Sequence, residues 1–268
     1  MITLSTMGGL GNQMFQIAAL HSLCLSSPYS YEVCLRKHYG PYQGNHISSY
    51  KNNIFSKVPF GCTDHNHNLS DLSCLSHSPS LLNNAIEHHG SFGVHGYFQS
   101  PDYFSKHFDQ ILDLYKPTTE EINYLNKKYK FTPWSLGIGV RRGDYKHLSF
   151  HPLQSIDYYV EAVDVLRDTF GFDSDSIFLT TDDPSWCREH LGFLNFTLLD
   201  EKKDYLKLHA LSLCPFLIGS NSTFHWWAML LNQRPNKACV FPRTWVNDGR
   251  AEASYNHLFL EFTNCIIL

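Results

Sequence analysis

Residues 136–145 read Leu-Gly-Ile-Gly-Val-Arg-Arg-Gly-Asp-Tyr, and this stretch changes from apolar to charged within one residue. Its apolar half has the length of a buried strand, and Arg141 and Arg142 follow directly. Ligands of open α/β sheets collect at the carboxyl ends of strands, and arginine forks match the oxygens of a phosphate. We therefore expect a buried strand that ends at an anion site. A surface turn with an ion pair between an arginine and Asp144 is the alternative.

Strand and helix patterns alternate regularly around this segment. We expect Asp157 to cap the helix that follows the segment and Gly171 to close it. The alternation is typical of a parallel sheet with Rossmann-like winding. The predicted strands are Leu136–Val140, Ile177–Thr181, 196–199, 216–219 and, as the last, Ala238–Phe241; the predicted helices are 157–170, 204–213 and one that contains Trp226 and Trp227.

Polar side chains follow two more of these strands. Asp182 and Asp183 come directly after the second strand, and Ser220, Ser222 and Thr223 lead from the fourth strand into a helix. A carboxylate can accept hydrogen bonds from the edge of a base, and hydroxyls at a helix start can bind phosphate together with backbone N–H groups. Helix capping is the alternative for both groups. Their positions at strand ends favour a binding site.

A glycine-rich turn follows the first predicted strand, residues 2–5. Strand, glycine turn and helix together present backbone N–H groups to an anion, whereas tight packing is the alternative explanation for the glycines. We expect Gly11, Asn12 and Gln13 to contribute donors there. The helix after the turn is predicted from an apolar face of Met14, Ile17, Ala18 and Leu25.

Composition excludes several classes of protein. The chain has 268 residues, of which 43% are hydrophobic and 17% charged, so it can bury a core. A formal charge of −4 provides no basic face for nucleic acid. No apolar run approaches membrane-spanning length and the start lacks a basic leader, so we expect a cytoplasmic protein; peripheral membrane association stays open. His65 and His67 have no third ligand nearby, and no metal is expected.

Several motifs, in chain order, resemble the α-1,2-fucosyltransferases of glycosyltransferase family 11. The most specific are Arg-Arg-Gly-Asp-Tyr at 141–145 and Ser-Asn-Ser-Thr-Phe-His-Trp-Trp at 220–227. Gly-Leu-Gly-Asn-Gln-Met-Phe-Gln at 9–16, the Gly-Tyr-Phe-Gln-Ser run within 96–104 and the region of Trp245 are similar as well. The resemblance implies an α/β, GT-B-like fold of two Rossmann-like halves with the donor site in the C-terminal half. Residues 1–132 would form the acceptor-side domain, and residues 133–268 the GDP-fucose-binding domain.

The resemblance also implies a reaction. L-fucose would move from GDP-fucose to the 2-hydroxyl of a galactose-terminated glycan, with inversion and without a metal or other cofactor. Arg141 would hold the β-phosphate and Arg142 would support it. Asn12 would lie near the diphosphate, Asp182 or Asp183 near guanine, and Ser222 or Thr223 near phosphate.

One position departs from the family pattern, which often has histidine two residues before the first arginine. Gly139 stands there, so the general base stays open among Asp144, Asp102 and His95. Two other functions remain as alternatives. One is a transferase for a different nucleotide sugar, with or without a metal at the paired aspartates, and the other is a catalytically inactive GDP-sugar-binding protein.

Overall fold

The computed structural model describes residues 1–39, 44–61, 70–71, 92–173, 176–247, 258–259 and 264–268. They form two compact units, Met1–Lys116 and Pro117–Leu268. The helix Thr119–Tyr129 belongs to the second unit, whereas the sequence prediction places the domain boundary after it, at residue 132. The histidine pair at 65 and 67 lies outside the described residues.

The first unit contains a five-stranded parallel sheet. Its strand order is β3-β2-β1-β5-β4, so the chain begins in the middle of the sheet. The strands are β1 (Ile2–Met7), β2 (Tyr31–Tyr39), β3 (Phe60–Gly61), β4 (Ser70–Asp71) and β5 (Phe92–His95), and the helices are α1 (Leu10–Leu25) and α2 (Phe108–Tyr115).

Helix α1 begins earlier than the sequence predicts and is buried on almost every side. Gly8 adopts a left-handed φ of 71°, and Gly9 is the N-cap residue. Of the predicted apolar face, Met14, Ile17 and Ala18 are buried, but Leu25 is 47% exposed. The amphipathic prediction is therefore wrong at the C-terminal end, where the helix leaves the core.

The second unit contains a six-stranded parallel sheet in the order β11-β10-β9-β6-β7-β8. Three predicted strands are confirmed with their bounds, and the predicted strands at 196–199 and 216–219 are shorter than expected. The strands are β6 (Leu136–Val140), β7 (Ile177–Thr181), β8 (Thr197–Leu198), β9 (Phe216–Ile218), β10 (Ala238–Phe241) and β11 (Cys265–Ile267). The last of these, β11, was not predicted. It pairs with β10, so the expectation that β10 ends the sheet is wrong.

Helices cover both faces of this second sheet. They are α3 (Thr119–Tyr129), α4 (Ile156–Phe170), α5 (Pro184–His190), α6 (Asp204–Ser212) and α7 (Thr223–Leu231). Ser155 caps α4 by accepting a hydrogen bond from the N–H of Tyr158, and Gly171 closes the helix at a φ of 66°. The predicted cap Asp157 is therefore wrong: it lies inside the first turn, where its charge complements the helix dipole. The prediction for Gly171 is confirmed.

The two faces of β6 explain its sequence. Leu136, Ile138 and Val140 are at most 1% exposed and pack in the core beneath α4, each worth about 2 kcal/mol relative to exposure. Side chains alternate along a strand, so Gly137 and Gly139 lie on the opposite face, where α6 and α7 approach closely. An apolar face and a glycine face thus let helices pack on both sides of one strand.

In the part of the chain that the structure describes, no helix is long and apolar enough to cross a membrane.

Candidate functional site

Three of the four predicted polar clusters lie at one edge of the second sheet. Strands β9, β6 and β7 are parallel neighbours, so their carboxyl ends meet. Residues 141–144 follow β6, residues 182–183 follow β7, and residues 220–223 follow β9. The fourth cluster, residues 8–13, follows β1 in the first unit.

Arg141 is held between two carboxylates. Its Nη2 lies 2.7 Å from Asp144 Oδ1, and its Nη1 lies 3.0 Å from Asp182 Oδ2. The side chain is 33% exposed, and a guanidinium has five N–H donors, so two ion pairs do not exhaust it. The ion pair between an arginine and Asp144, which the sequence offers as the alternative, is present. Arg141 nevertheless also lies at the carboxyl edge of the sheet, as a binding site requires.

Arg142 has different surroundings, although it is the next residue. Its guanidinium carbon lies 3.9 Å from the centre of the Trp186 ring, and its side chain is only 14% exposed. Nη1 donates to the Gln154 carbonyl at 3.5 Å, and Nε lies 3.8 Å from Asp183 Oδ2. Stacking and burial make Arg142 a support of the loop rather than an open anion ligand.

Asp182 binds the loop that follows β6. Its Oδ1 accepts from the backbone N–H of Arg142 at 2.8 Å. A Cβ at Gly143 would lie 2.8 Å from Asp182 Oδ2, closer than real Cβ atoms come, so the loop approaches the carboxylate only because residue 143 is glycine. The carboxylate therefore fixes the position of both arginines.

Asp183 caps helix α5. It accepts from the N–H of Trp186 at 3.3 Å, and Pro184 occupies the first helical turn, which confirms the capping interpretation. Lys146 Nζ lies 2.5 Å from Asp183 Oδ2. The hydrogen bond from Lys146 is the main cause that holds the pKa of this carboxyl below its usual value.

The cations and carboxylates of this edge balance. Three cations, Arg141, Arg142 and Lys146, face three carboxylates. The arginines are therefore ordered by protein partners before any ligand binds, which is the preorganisation that electrostatic catalysis needs.

Residues 220–223 form a bonded turn into α7. Ser220 is fully buried, and its backbone N–H donates to His225 Nδ1 at 3.3 Å, while its hydroxyl oxygen lies 3.0 Å from the same nitrogen. Ser222 occupies the N-cap position without a side-chain capping bond. Thr223 is the first residue of the helix. The alternative from the sequence, a helix N-cap, is therefore confirmed for the position of Ser222, although its side chain makes no capping hydrogen bond.

Asn221 joins three loops of the second unit. Its side-chain amide donates to the Trp245 carbonyl at 2.9 Å, and its Oδ1 accepts from Gln154 at 3.2 Å. Its carbonyl accepts from the Tyr145 hydroxyl at 3.1 Å. Asn221 thus holds the edge together, a role that its sequence neighbours do not reveal.

The glycine segment of the first unit leads directly into helix α1, because Gly8 and Gly9 precede the helix and Gly11 lies in its first turn. Gly11, Asn12 and Gln13 fall in its first turn, and the Gln13 N–H donates to the Gly9 carbonyl. The fully buried Gln13 side chain donates to the carbonyls of Gly8 and Asn45. Gln13 therefore fixes the turn.

Asn12 and the two base candidates of the first unit occupy different surroundings. Asn12 Oδ1 accepts from Gln99 at 2.8 Å. His95 is buried at the end of β5, whereas Asp102 is exposed in a short helical turn that Ser100 caps. Asn12 stays a candidate for donor binding, and His95 and Asp102 stay candidates for the general base.

Several residues of the edge were missed by sequence reasoning. Tyr145 and Lys146 directly follow the arginine motif, so their position was a signal. His225 lies inside the quoted 220–227 motif. Trp186 and Gln154 are distant in sequence, and only the fold brings them to the arginines.

Two relatives align with most of this chain. The O-antigen biosynthesis glycosyltransferase WbnK of Escherichia coli is 25% identical over 89% of this chain and 92% of its own length. An α-1,2-colitosyltransferase of Escherichia coli is 24% identical over 89% of this chain and 90% of its own length.

Solved structures share the fold. The α-1,6-fucosyltransferase NodZ soaked with GDP-fucose has a TM-score of 0.51 at 14% identity, covering 86% of this chain and 92% of that chain. The fucosyltransferase NodZ from Bradyrhizobium has a TM-score of 0.52 at 13% identity, with the same coverage. Together with the two parallel sheets, this likeness confirms the GT-B-like fold.

The model of glycosyl transferase family 11 matches residues 76–261, which is more than half of the chain. The chain therefore belongs to glycosyl transferase family 11.

Proposed function

We propose that this chain is an inverting fucosyltransferase that moves L-fucose from GDP-fucose to the 2-hydroxyl of a galactoside. The observation that carries the proposal is the Arg141 guanidinium, which stands at the carboxyl edge of a parallel sheet, ordered by two carboxylates and one-third exposed. This is the place and the chemistry that a leaving diphosphate needs.

The reaction places new negative charge on the leaving group. As the acceptor oxygen attacks the anomeric carbon, the bond to the β-phosphate oxygen breaks and GDP departs with the bonding electrons. Arg141 stabilises that charge more in the transition state than in the ground state, which lowers the barrier. Because Asp144 and Asp182 already hold the guanidinium, little reorganisation is needed when the diphosphate arrives.

The other residues take supporting roles in the proposal. Arg142, stacked on Trp186, keeps the loop in place behind Arg141. Asp182 or Asp183 lies near guanine, and the start of α7 lies near phosphate. In the first unit, Asn12 and the start of α1 remain candidate donor contacts. Asp144, Asp102 and His95 remain the candidates for the general base, and neither a metal nor another cofactor takes part.

A second donor sugar is favoured by one observation. One of the two E. coli relatives is named a colitosyltransferase, so the donor of this chain need not be fucose. The alternative is therefore an α-1,2-transferase for a different nucleotide sugar. A catalytically inactive GDP-sugar binder is the remaining alternative, motivated by Gly139 at the position of the family histidine.

The test is a transfer assay with linkage analysis. The protein is incubated with GDP-fucose or the corresponding colitose nucleotide and a panel of β-galactosides that includes O-antigen fragments, with and without excess chelator. We expect GDP release and an α-1,2-linked fucosyl product in both buffers. Product only from the colitose donor would replace the donor, loss of product in chelator would support a metal, and GDP binding without turnover of any donor would identify an inactive binder.

A further inference from the structure

A buried histidine that the proposed reaction does not use lies behind the arginine edge. His225, in the first turn of α7, is 4% exposed. Burial, followed by the nearby charge of Arg141, lowers its pKa to about 3. The ring is therefore neutral at physiological pH. The nearby charge of Asp182 acts in the opposite direction and raises the pKa of this histidine.

The proton of this neutral ring has a defined place. The backbone N–H of Ser220 points at Nδ1 from 3.3 Å, and a backbone N–H can only donate. Nδ1 is therefore the acceptor, and the proton resides on Nε2. The tautomer is set by the turn 220–223, which is itself part of the edge.

Gly139 is the residue that admits the ring. A Cβ at position 139 would lie 2.4 Å from His225 Cδ2 and 2.5 Å from both Cγ and Nε2. These contacts are with the body of a buried ring and not with the end of a flexible side chain. The imidazole thus fills the space into which any side chain at position 139 would project.

The ring also lies near the end of β6, where Arg141 follows, and the charge of Arg141 acts on it. Strand β6 ends at Val140, one residue before Arg141, and the ring contacts Gly139 on the glycine face of this strand. His225 therefore occupies, from a helix, the place of a strand side chain two residues before the first arginine. That is the position where the family resemblance predicts a histidine.

We infer that His225 is a positioning residue for Arg141. Its imidazole, which comes from helix α7, replaces the histidine side chain that is absent at position 139 of the strand. The neutral ring fills the space beside Gly139, two residues before Arg141, so the guanidinium charge stays directed to its two carboxylates and the ligand. A charged ring at this place would repel Arg141. The inference rests on the proposed function, because it assigns Arg141 to the donor diphosphate.

The test moves the imidazole between the two positions. His225→Ala removes it, Gly139→His with His225→Ala returns it from the strand, and Leu230→Ala creates a buried cavity in the same helix as the matched control. We expect His225→Ala to lower kcat by about 10- to 100-fold, the scale of displacing a catalytic group by about an ångström, while KM for the donor changes less. The double variant should regain at least part of that loss, and the control should keep its kcat.

Two outcomes overturn the inference. One is a His225→Ala variant that loses thermal stability like the Leu230→Ala control but keeps its kcat, and the other is a double variant no better than His225→Ala. If His225→Ala does not fold, Gly139→Ala displaces the ring instead, and wild-type kcat in that variant contradicts the inference. A wild-type protein that does not turn over GDP-fucose refutes the proposed function alone. The ¹⁵N shifts of His225 then still test the Nε2–H tautomer, and a proton on Nδ1 at pH 7 overturns the inference.

Discussion

Arg141 lies between two carboxylates, whereas Arg142 lies on an indole ring. Adjacent residues after a strand point in different directions, so one guanidinium faces the sheet edge and the other faces α5. The sequence predicts that both arginines matter at a strand end. It does not predict the Trp186 stack, because that contact depends on how α5 packs against the sheet, and Trp186 is 44 residues after Arg142.

Replacing Arg141 tests its role at the donor. Arg141→Ala should lower the rate of transfer by about 10²- to 10³-fold, because one preorganised donor to the developing charge is lost. The measurement is kcat and KM for the donor sugar nucleotide. Arg167→Ala, which breaks only an exposed ion pair with Asp164 on α4, is the matched control and should behave as wild type.

Replacing Arg142 should act mainly on stability. Arg142→Ala removes the stack on Trp186 and the pair with Asp183, and the free energy of unfolding should fall by about 2 kcal/mol. Chemical denaturation followed by Trp fluorescence measures it. Arg188 is an exposed arginine on helix α5, which also carries Trp186, and Arg188→Ala should lower the free energy of unfolding by less than about 1 kcal/mol. Equal losses in both variants would refute the supporting role of Arg142.

Most helices and strands of the second unit lie where the sequence pattern predicts them, and each difference from the prediction has a local cause. The core strands β6, β7 and β10 are predictable because they are apolar and bounded by polar or helix-starting residues. Strand β8 is only two residues long and β11 lies at the sheet edge, so neither leaves a strong pattern. The cap of α4 was misplaced because Ser155 and Asp157 both have capping side chains, and only the backbone geometry decides between them.

Helix α3 provides a test of capping at this scale. Thr118 accepts from the Glu121 N–H at 3.2 Å, and Glu121 accepts from the Thr118 N–H at 2.9 Å, which is a complete capping box. Thr118→Ala should lower the free energy of unfolding by about 1 kcal/mol. Thr119→Ala, one residue into the helix, is the control and should cost less. A difference of zero between the two variants would show that the box contributes nothing.

At the scale of the whole molecule, buried neutral histidines and paired carboxylates both make the folded state sensitive to acid. Burial lowers the pKa of His225 to about 3 and also lowers that of His151. The unfolded chain therefore binds protons below about pH 6.5 that the folded chain refuses. Hydrogen bonds from lysines lower the pKa of Asp183 and Asp113, so their stabilisation is lost as pH falls further.

The expected result is a loss of stability on acidification. Between pH 6.5 and 4.5 the free energy of unfolding should fall by up to about 1.4 kcal/mol per pH unit for each histidine that stays neutral in the folded state. Urea denaturation across this range measures the slope. His225→Gln cannot titrate and should show a smaller slope than wild type. An unchanged slope in that variant would contradict the neutral state of the buried ring.

The division of the molecule limits what the sequence could predict about the site. The sequence predicts one binding site from four polar clusters because each follows a strand, and the three clusters of the second unit lie at one edge of its sheet. The donors near Asn12 belong to the other unit, and no local pattern in either half specifies how they would meet a ligand. The general base is open for the same reason, since its candidates Asp102 and His95 lie in the first unit and Asp144 in the second.

A crystal structure of the complex with GDP tests the central claim most directly. The account predicts the diphosphate at the carboxyl edge of the second sheet, with a β-phosphate oxygen within hydrogen-bond distance of the Arg141 guanidinium and Arg142 still stacked on Trp186. A diphosphate bound away from this edge, or an Arg141 side chain turned into solvent in the complex, would contradict it.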